Sequence, residues 1–393
     1  MLGTSPTLAA LANGTIGHSL DFDDMAISLI AHPSVFLVPA IFAVGERLGT
    51  SGKEALAAYV IGYEVACHTG KPLIQSHYTQ GWHSTGTFGT LGSAAAVSWL
   101  LKLGHDQARR ALGIAASLAA GLRQNFGTMT KPIHAGRAAA NGIEAATLAK
   151  AGITSDASII EAPMGFARVL GHREEVDWTH VMANLGKSFL ITSPEGLSIK
   201  PYPSCGFTHC AIDAAIALKD KYKLDIHEID DIALGVSPFD KKILIHHNPS
   251  TGLEGKFSLE YCVARALVSN EVRLKHFNAA SVAESQVRNL MEKMRWVEKF
   301  PLPVMGTPEG FGTKSVTVRM KEGQTYDHEA AIAKGMPQNP LSTQEFQAKF
   351  KDCASLSLDN AKADKCLNLL SGLETLESPS GGKKGFITDI LSP

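Results

Sequence analysis

No long apolar run, no excess of charge and no paired cysteines occur in this 393-residue chain, and each absence removes a class of function. The apolar stretch from Val35 to Val44 is broken by Glu46 and Arg47, well short of the roughly 20 residues that a helix needs to cross a bilayer. Met1 to Ala12 lacks the basic segment of a secretory leader. Lys plus Arg number 37 against 38 Asp plus Glu, so no global field draws the chain to nucleic acid or an anionic membrane, and an anionic ligand must be met by locally placed cations. The six cysteines (67, 205, 210, 262, 353 and 366) are scattered without a CxxC pair, which points to reduced thiols in a cytoplasmic-type compartment. No mitochondrial address is visible, and Leu391-Ser392-Pro393 is not a peroxisomal tripeptide.

Several catalytic signatures are missing too. No GxSxG marks a serine hydrolase. Cys205 and His209 are four apart with Cys210 adjacent, but no second pair has ligand spacing, so neither a metal nor an iron–sulfur cluster is expected. Gly86, Gly89 and Gly92 recur every three residues without forming a phosphate loop, and close helix packing explains them better.

What is present is an ordinary folded protein, 45% hydrophobic and 19% charged, and too long for one small core. From Val35 to Gly152 it reads as Ala-, Leu- and Gly-rich helices. A capping box at Ser51–Glu54 predicts a helix from Lys53 to about His68, and further helices are expected over 87–103, 106–122 and 136–150. Beyond Pro194 the texture changes. Alternation over 232–236 and 315–320 predicts strands, and helical patterns lie at 207–222, 257–268 and 281–294. Residues 301–312 read as a loop, Ser342–Glu345 as another capping box, and 378–384 as a loop before the apolar end 386–391. The division is a helical domain (1–196 with 342–393) and a smaller α+β lid (197–341), in a mainly α fold.

The polar residues concentrate in a few places. His18 to Ser34 (HSLDFDDMAISLIAHPS) holds three carboxylates and two histidines. Asp21, Asp23 and Asp24 resist ionising together unless a cation or hydrogen-bond donor offsets them, which suits acid/base chemistry. Four further stretches, GWHSTG (81–86), KPIHAGR (131–137), KPYPSCG (200–206) and GKFSLEY (255–261), each fall at an expected loop-to-helix junction, where backbone N–H groups and the helix dipole favour carboxylates. Lys131, His134, Arg137 and Lys200 would add positive charge there, with Cys205 beside them. His32 and His83 are the proton-transfer candidates, because an imidazole titrates near neutrality. Asp21 could orient one of them or act as base. Tyr261 could serve the site or simply pack in the core with its hydroxyl tied to a neighbour.

In order, HSLDFDD with AHPS, GWHSTGTFGT, KPIHAGRAAANG, IKPYPSCGFTHC and GKFSLEY resemble the MmgE/PrpD family, which holds 2-methylcitrate dehydratases, cis-aconitate decarboxylases and iminodisuccinate epimerases. The likeness runs from about Asn13 to Tyr261 and weakens beyond. It implies a helical domain and an α+β lid, a homodimer, and a site between the domains that needs no metal or organic cofactor. Carried over by motif, that site comprises Asp21, His32, His83, Lys131, Lys200 and Tyr261. Two departures stand out: Met25 follows DFDD where several relatives carry a substrate-bonding threonine, and only twenty residues precede Asp21 where members carry several helices. The leading expectation is a lyase acting on a small di- or tricarboxylate, of the 2-methylcitrate dehydratase type. Cis-aconitate decarboxylation, iminodisuccinate epimerisation and an inactive carboxylate-binding homologue are the alternatives.

Overall fold

The computed structural model describes residues 4–171 and 176–377, so the loop and apolar end expected at 378–391 lie outside the described residues. The chain opens with α1 (Pro6–Ser19), a helix not anticipated from sequence, capped by Ser5 and started by Pro6 at its first position. It packs against α2 (Pro33–Leu48) and, most extensively, α7 (Thr130–Lys150). Between them come α3 (Gly52–Gly70), α4 (Ile74–Thr79), α5 (Ser84–Leu100) and α6 (His105–Leu118). The capping box at Ser51–Glu54 forms as expected. Expected ends shift by a few residues, and α7 starts six residues early because Pro132, in its first turn, costs no hydrogen bond there.

Helix α5 is the hub, buried along nearly all its length against α2, α3, α6 and α7. Its glycines make that possible: a Cβ at Gly92 would stand 2.7 Å from Gly62 O, and one at Gly89 would stand 2.7 Å from the Phe36 ring. They are packing glycines.

Short helices α8 (Phe166–Gly171) and α9 (Trp178–Met182) lead to the second half. There β3 (Ile229–Val236) pairs parallel with β4 (Met294–Glu298) and antiparallel with β5 (Lys314–Met320), which pairs with β6 (Thr325–Ala330), giving the order β4-β3-β5-β6. Helix α10 (His209–Tyr222) covers β5 and β6 and packs on α12 (Leu259–Ser269). Before α12 lies the one-turn α11 (Gly252–Gly255). The helix expected at 281–294 is instead two short ones, α13 (Ala279–Val282) and α14 (Ser285–Met291), and Met294 begins β4, where tertiary pairing outweighs local pattern. Helices α15 (Thr343–Ala354) and α16 (Asn360–Ser371) return the chain toward α3, whose Gly52 N–H donates to Leu376 O at 2.8 Å. The result is a mainly α fold with a smaller α+β region. Among the described residues no helix is long and apolar enough to cross a membrane.

The remaining pair of strands is the one that positions the site. β1 (Asp24–Ala26) and β2 (Leu197–Ile199) run antiparallel with Asp24 opposite Ile199. That register sets Lys200 beside Asp21 and Asp23, although Asp24 and Lys200 are 176 positions apart in the chain.

Candidate active site

The loop after α1 turns sharply. Asp21 and Ile30 both have left-handed backbone, φ 50° and 48°, uncommon for residues with a side chain and associated with functional sites. Ala26 and Ala31 bridge to each other, which folds 26–31 into a tight loop and returns His32 toward Asp24. Ser84 Oγ donates to Ile30 O at 2.6 Å, and Thr85 Oγ1 accepts from His32 N at 3.2 Å, fastening this loop to the entrance of α5. His32 and His83 occupy the N-cap positions of α2 and α5, and Lys131 lies in the first turn of α7.

The three adjacent carboxylates have separate partners. Asp21 Oδ1 accepts from Lys131 Nζ at 2.6 Å and Lys200 Nζ at 2.9 Å. Burial alone would raise its pKa, but the two ammonium groups outweigh burial and hold it well below the usual carboxylate range. Asp23 serves the imidazoles: its Oδ2 lies 2.5 Å from His18 Nδ1, and its Oδ1 lies 3.3 Å from His32 Nδ1 and 3.4 Å from Lys200 Nζ. Burial again opposes ionisation, and His32, His18 and Lys200 override it. Asp24 is structural, taking Ser34 N at 3.1 Å, Ser34 Oγ at 2.5 Å and Tyr59 OH at 3.2 Å, and burial leaves its pKa raised.

Three imidazoles gather beside these acids. His18, His32 and His83 have ring centroids 4.6 to 6.5 Å apart. Burial, then the Lys131 charge, pushes His18 down to about 3 and holds His83 well below its ordinary value, so both are neutral imidazoles. His32 Nδ1 lies 2.8 Å from Asp24 O, and His83 Nδ1 lies 3.0 Å from His134 Nδ1. One nitrogen from each of the three rings falls within 4.8 Å of the others, a spacing a metal could bridge. The ammonium group of Lys131 faces the same cluster and opposes a further cation there.

Asp21, His32, His83, Lys131, Lys200 and Cys205 all line one cavity of about 20 Å³, roughly room for one water. Asp21 Oδ2 and His18 Nε2, both buried, take no hydrogen bond among the described residues. Burial, then the Asp21 charge, pushes the Cys205 thiol up to about 11, so it is a poor nucleophile. The other sequence candidates stand apart from the cavity. His134 sits behind His83, half-buried, and Arg137 is exposed on α7. The Tyr261 hydroxyl, buried on α12, donates to His276 O and does not reach the cavity.

Four participants escaped the sequence reading. His18 and Asp23 lay inside the flagged stretch but were not singled out from their neighbours. Lys256 Nζ donates to Leu20 O at 2.6 Å and Pro203 O at 2.8 Å. Lys349 Nζ, on α15, reaches Lys200 O at 2.8 Å and Asp23 O at 3.4 Å. Burial pushes each of these lysines down to about 8. Lys256 belonged to the GKFSLEY stretch; nothing local to Lys349 signals its role.

Comparison with known proteins gives a consistent picture. Residues 2–179 match the MmgE/PrpD N-terminal domain and residues 202–374 the MmgE/PrpD C-terminal domain. A cis-aconitate decarboxylase of Mus musculus is 29% identical over 390 residues, covering 95% of this chain and 77% of that protein. The cis-aconitate decarboxylase of Homo sapiens is 28% identical over 392 residues, covering 95% and 78%. One from Aspergillus terreus is 25% identical over 393 residues, covering 94% and 79%.

Proposed function

The chain belongs to the MmgE/PrpD family, and from that premise we propose that it is a lyase releasing carbon dioxide from cis-aconitate, or a close unsaturated tricarboxylate, without metal or organic cofactor. The observation that carries this reading is the pairing of two ammonium groups, Lys131 and Lys200, on one buried carboxylate oxygen beside His32 and His83. Loss of carbon dioxide breaks a carbon–carbon bond and leaves its electron pair on a carbon framework that still bears carboxylates. Fixed cations stabilise that charge, and a positioned acid must then protonate carbon. Lys131 and Lys200 bind the substrate carboxylates, His83 or His32 delivers the proton, and Asp21 holds the two lysines in register. A polyanionic substrate favours the protonated form of the imidazoles beside it, turning His83 from a neutral ring into an acid on binding.

Decarboxylation has better support than the dehydration of 2-methylcitrate first expected. The relatives named above are cis-aconitate decarboxylases. Met25 contributes a thioether to the cavity wall, and Tyr261, the expected donor to a leaving hydroxyl, donates its hydrogen bond to His276 O outside the cavity.

Proton NMR in deuterium oxide with cis-aconitate, 2-methylcitrate, citrate and iminodisuccinate tests the reading. The expected result is carbon dioxide release from cis-aconitate with one deuteron retained on carbon. Water loss from 2-methylcitrate with cis-aconitate untouched would reverse the assignment, and binding without turnover would identify a carboxylate-binding protein.

A further inference from the structure

We propose that His134 is the proton conduit of the site, passing protons between solvent and His83. The proposal rests on the reading of the site as one that protonates carbon, and it addresses what that reading leaves open. Each decarboxylation consumes a proton, yet the residue best placed to deliver it, His83, is only 1% exposed and lines a cavity the size of one water. A buried acid that has given up its proton must be recharged before the next turnover.

The geometry supplies one route. His83 Nδ1 and His134 Nδ1 are 3.0 Å apart, a hydrogen bond in which one ring donates and the other accepts. With Nδ1 turned to His134, Nε2 is the His83 nitrogen left for substrate; by the same logic Nε2 of His134 is left for water. His134 is half-buried, so it touches both environments. The charged and titratable groups around the pair are Lys131, His18 and His32 on the His83 side and Lys131 beside His134. Lys131 disfavours a resting charge on either ring, so a proton arriving from water is passed on and not stored.

The packing is specific to the pair. Gly121, at φ 139°, presents its carbonyl to His83 N at 3.0 Å. A Cβ there would stand 3.3 Å from His134 Cγ and 3.5 Å from His83 Cβ, so the glycine lets both rings sit against the backbone. In each turnover a solvent proton arrives at His134 Nε2, the shared Nδ1 proton moves from His134 to His83, and the His83 ring so protonated gives its Nε2 proton to substrate carbon. Tautomer exchange then restores the starting arrangement, one solvent proton being consumed per carbon dioxide released.

The test is His134→Gln, which can still hydrogen-bond His83 but cannot relay a proton. The expected result is a loss of about 10-fold or more in kcat with KM within about twofold, restored saturably by imidazole buffer, to which the wild type is indifferent. Unchanged kcat, a loss carried by KM, or a loss that buffer does not restore would overturn the conduit. A readout independent of substrate separates this from the assignment of the reaction. In 15N-histidine-labelled protein the Nδ1 signals of His83 and His134 should show coupling through their shared hydrogen bond, lost in the variant; absence of that coupling overturns the conduit even if cis-aconitate is decarboxylated, and its presence sustains the pair even if another carboxylate is the substrate.

Discussion

Lys256 and Lys349 fasten the same two loops at different rungs: the first bonds the carbonyls of Leu20 and Pro203, the second those of Asp23 and Lys200. Asp21 and Lys200 are thus held between two ammonium clamps, Lys256 buried and Lys349 half-buried. Each ammonium also sits over an aromatic ring, Phe277 for Lys256 at 4.4 Å and Phe22 for Lys349 at 4.3 Å.

Replacing Lys349 by Met tests the clamp, since the apolar stem is kept while hydrogen bonds from a charged donor, worth about 1.5–3 kcal/mol each, are lost. Misplacement by about 1 Å can cost on the order of 100-fold in rate. Lys349→Met should therefore lower kcat/KM by about 10- to 100-fold in protein that remains folded at the assay temperature. A lower Tm with full activity below it would reduce Lys349 to a structural role.

The helical layer was legible because its signals are local: the Ser51–Glu54 capping box and the apolar glycine-spaced run of α5 carry their own instructions. His32, His83 and Lys131 were legible for a similar reason, each lying where a loop enters a helix. What stayed hidden depends on distant pairing. The three-residue strands β1 and β2 are too short to show a period, yet their register is what brings Lys200 to Asp21. Lys349 reaches Asp23 O from 326 positions away. Of the three aspartates only Asp21 stands out in sequence, and it takes the fold to give Asp21 to lysines, Asp23 to histidines and Asp24 to Ser34 and Tyr59.

Asp21→Asn should strand two buried ammonium groups without their shared anion. Breaking a buried ion pair costs about 3–5 kcal/mol, so urea unfolding should show a loss of that order. A bound tricarboxylate supplies the missing negative charge, and cis-aconitate should raise the Tm of the variant more than that of the wild type. Equal ligand shifts in the two proteins would mean that the carboxylates bind elsewhere.

His77 sets an acid limit on stability. Its Nδ1 lies 3.0 Å from Leu170 O and its Nε2 2.8 Å from Thr87 Oγ1, a neutral ring in the core, and burial pushes it down to about 4 against some help from the Leu170 carbonyl. The unfolded chain takes up that proton near pH 6.5 and the folded one does not until about pH 4, so stability is complete above 6.5 and falls as pH drops through this window. The loss is about 3 kcal/mol between pH 7 and pH 4. Denaturation midpoints of wild type and His77→Gln, compared across that range, should show a shallower pH slope in the variant; parallel slopes would remove His77 as the cause.

Gly136→Ala should separate α1 from α7. A Cβ there would stand 2.2 Å from Leu11 O and 2.3 Å from Thr15 Oγ1, and a backbone oxygen cannot swing away as a side chain can. Overpacking of this kind costs about 1–3 kcal/mol or more. Because His18 lies in the last turn of α1, activity should fall with stability. Chemical denaturation and kcat on the same preparation check both; a variant with unchanged stability would show that α1 is less closely docked than the structure has it.

Met25→Thr bears on which tricarboxylates enter. Met25 lines the cavity and fills the space over Gly206, where a Cβ would stand only 2.6 Å from its sulfur. In this position it excludes bulk and offers nothing to hydrogen-bond a hydroxyl, so a hydroxylated substrate such as citrate would lose water contacts without replacement, while cis-aconitate has no hydroxyl to satisfy. Threonine shortens the side chain and adds a hydroxyl at the same wall. A site that can hydrogen-bond a substrate hydroxyl gains selectivity that apolar contact alone cannot give. The ratio of citrate to cis-aconitate binding should therefore rise by about 10-fold, measured as competing inhibition constants, with a small drop in Tm from the space opened beside Gly206. An unchanged ratio would move the control of substrate choice away from Met25, toward the aromatic wall of Phe126, Phe257 and Phe311 that completes the cavity.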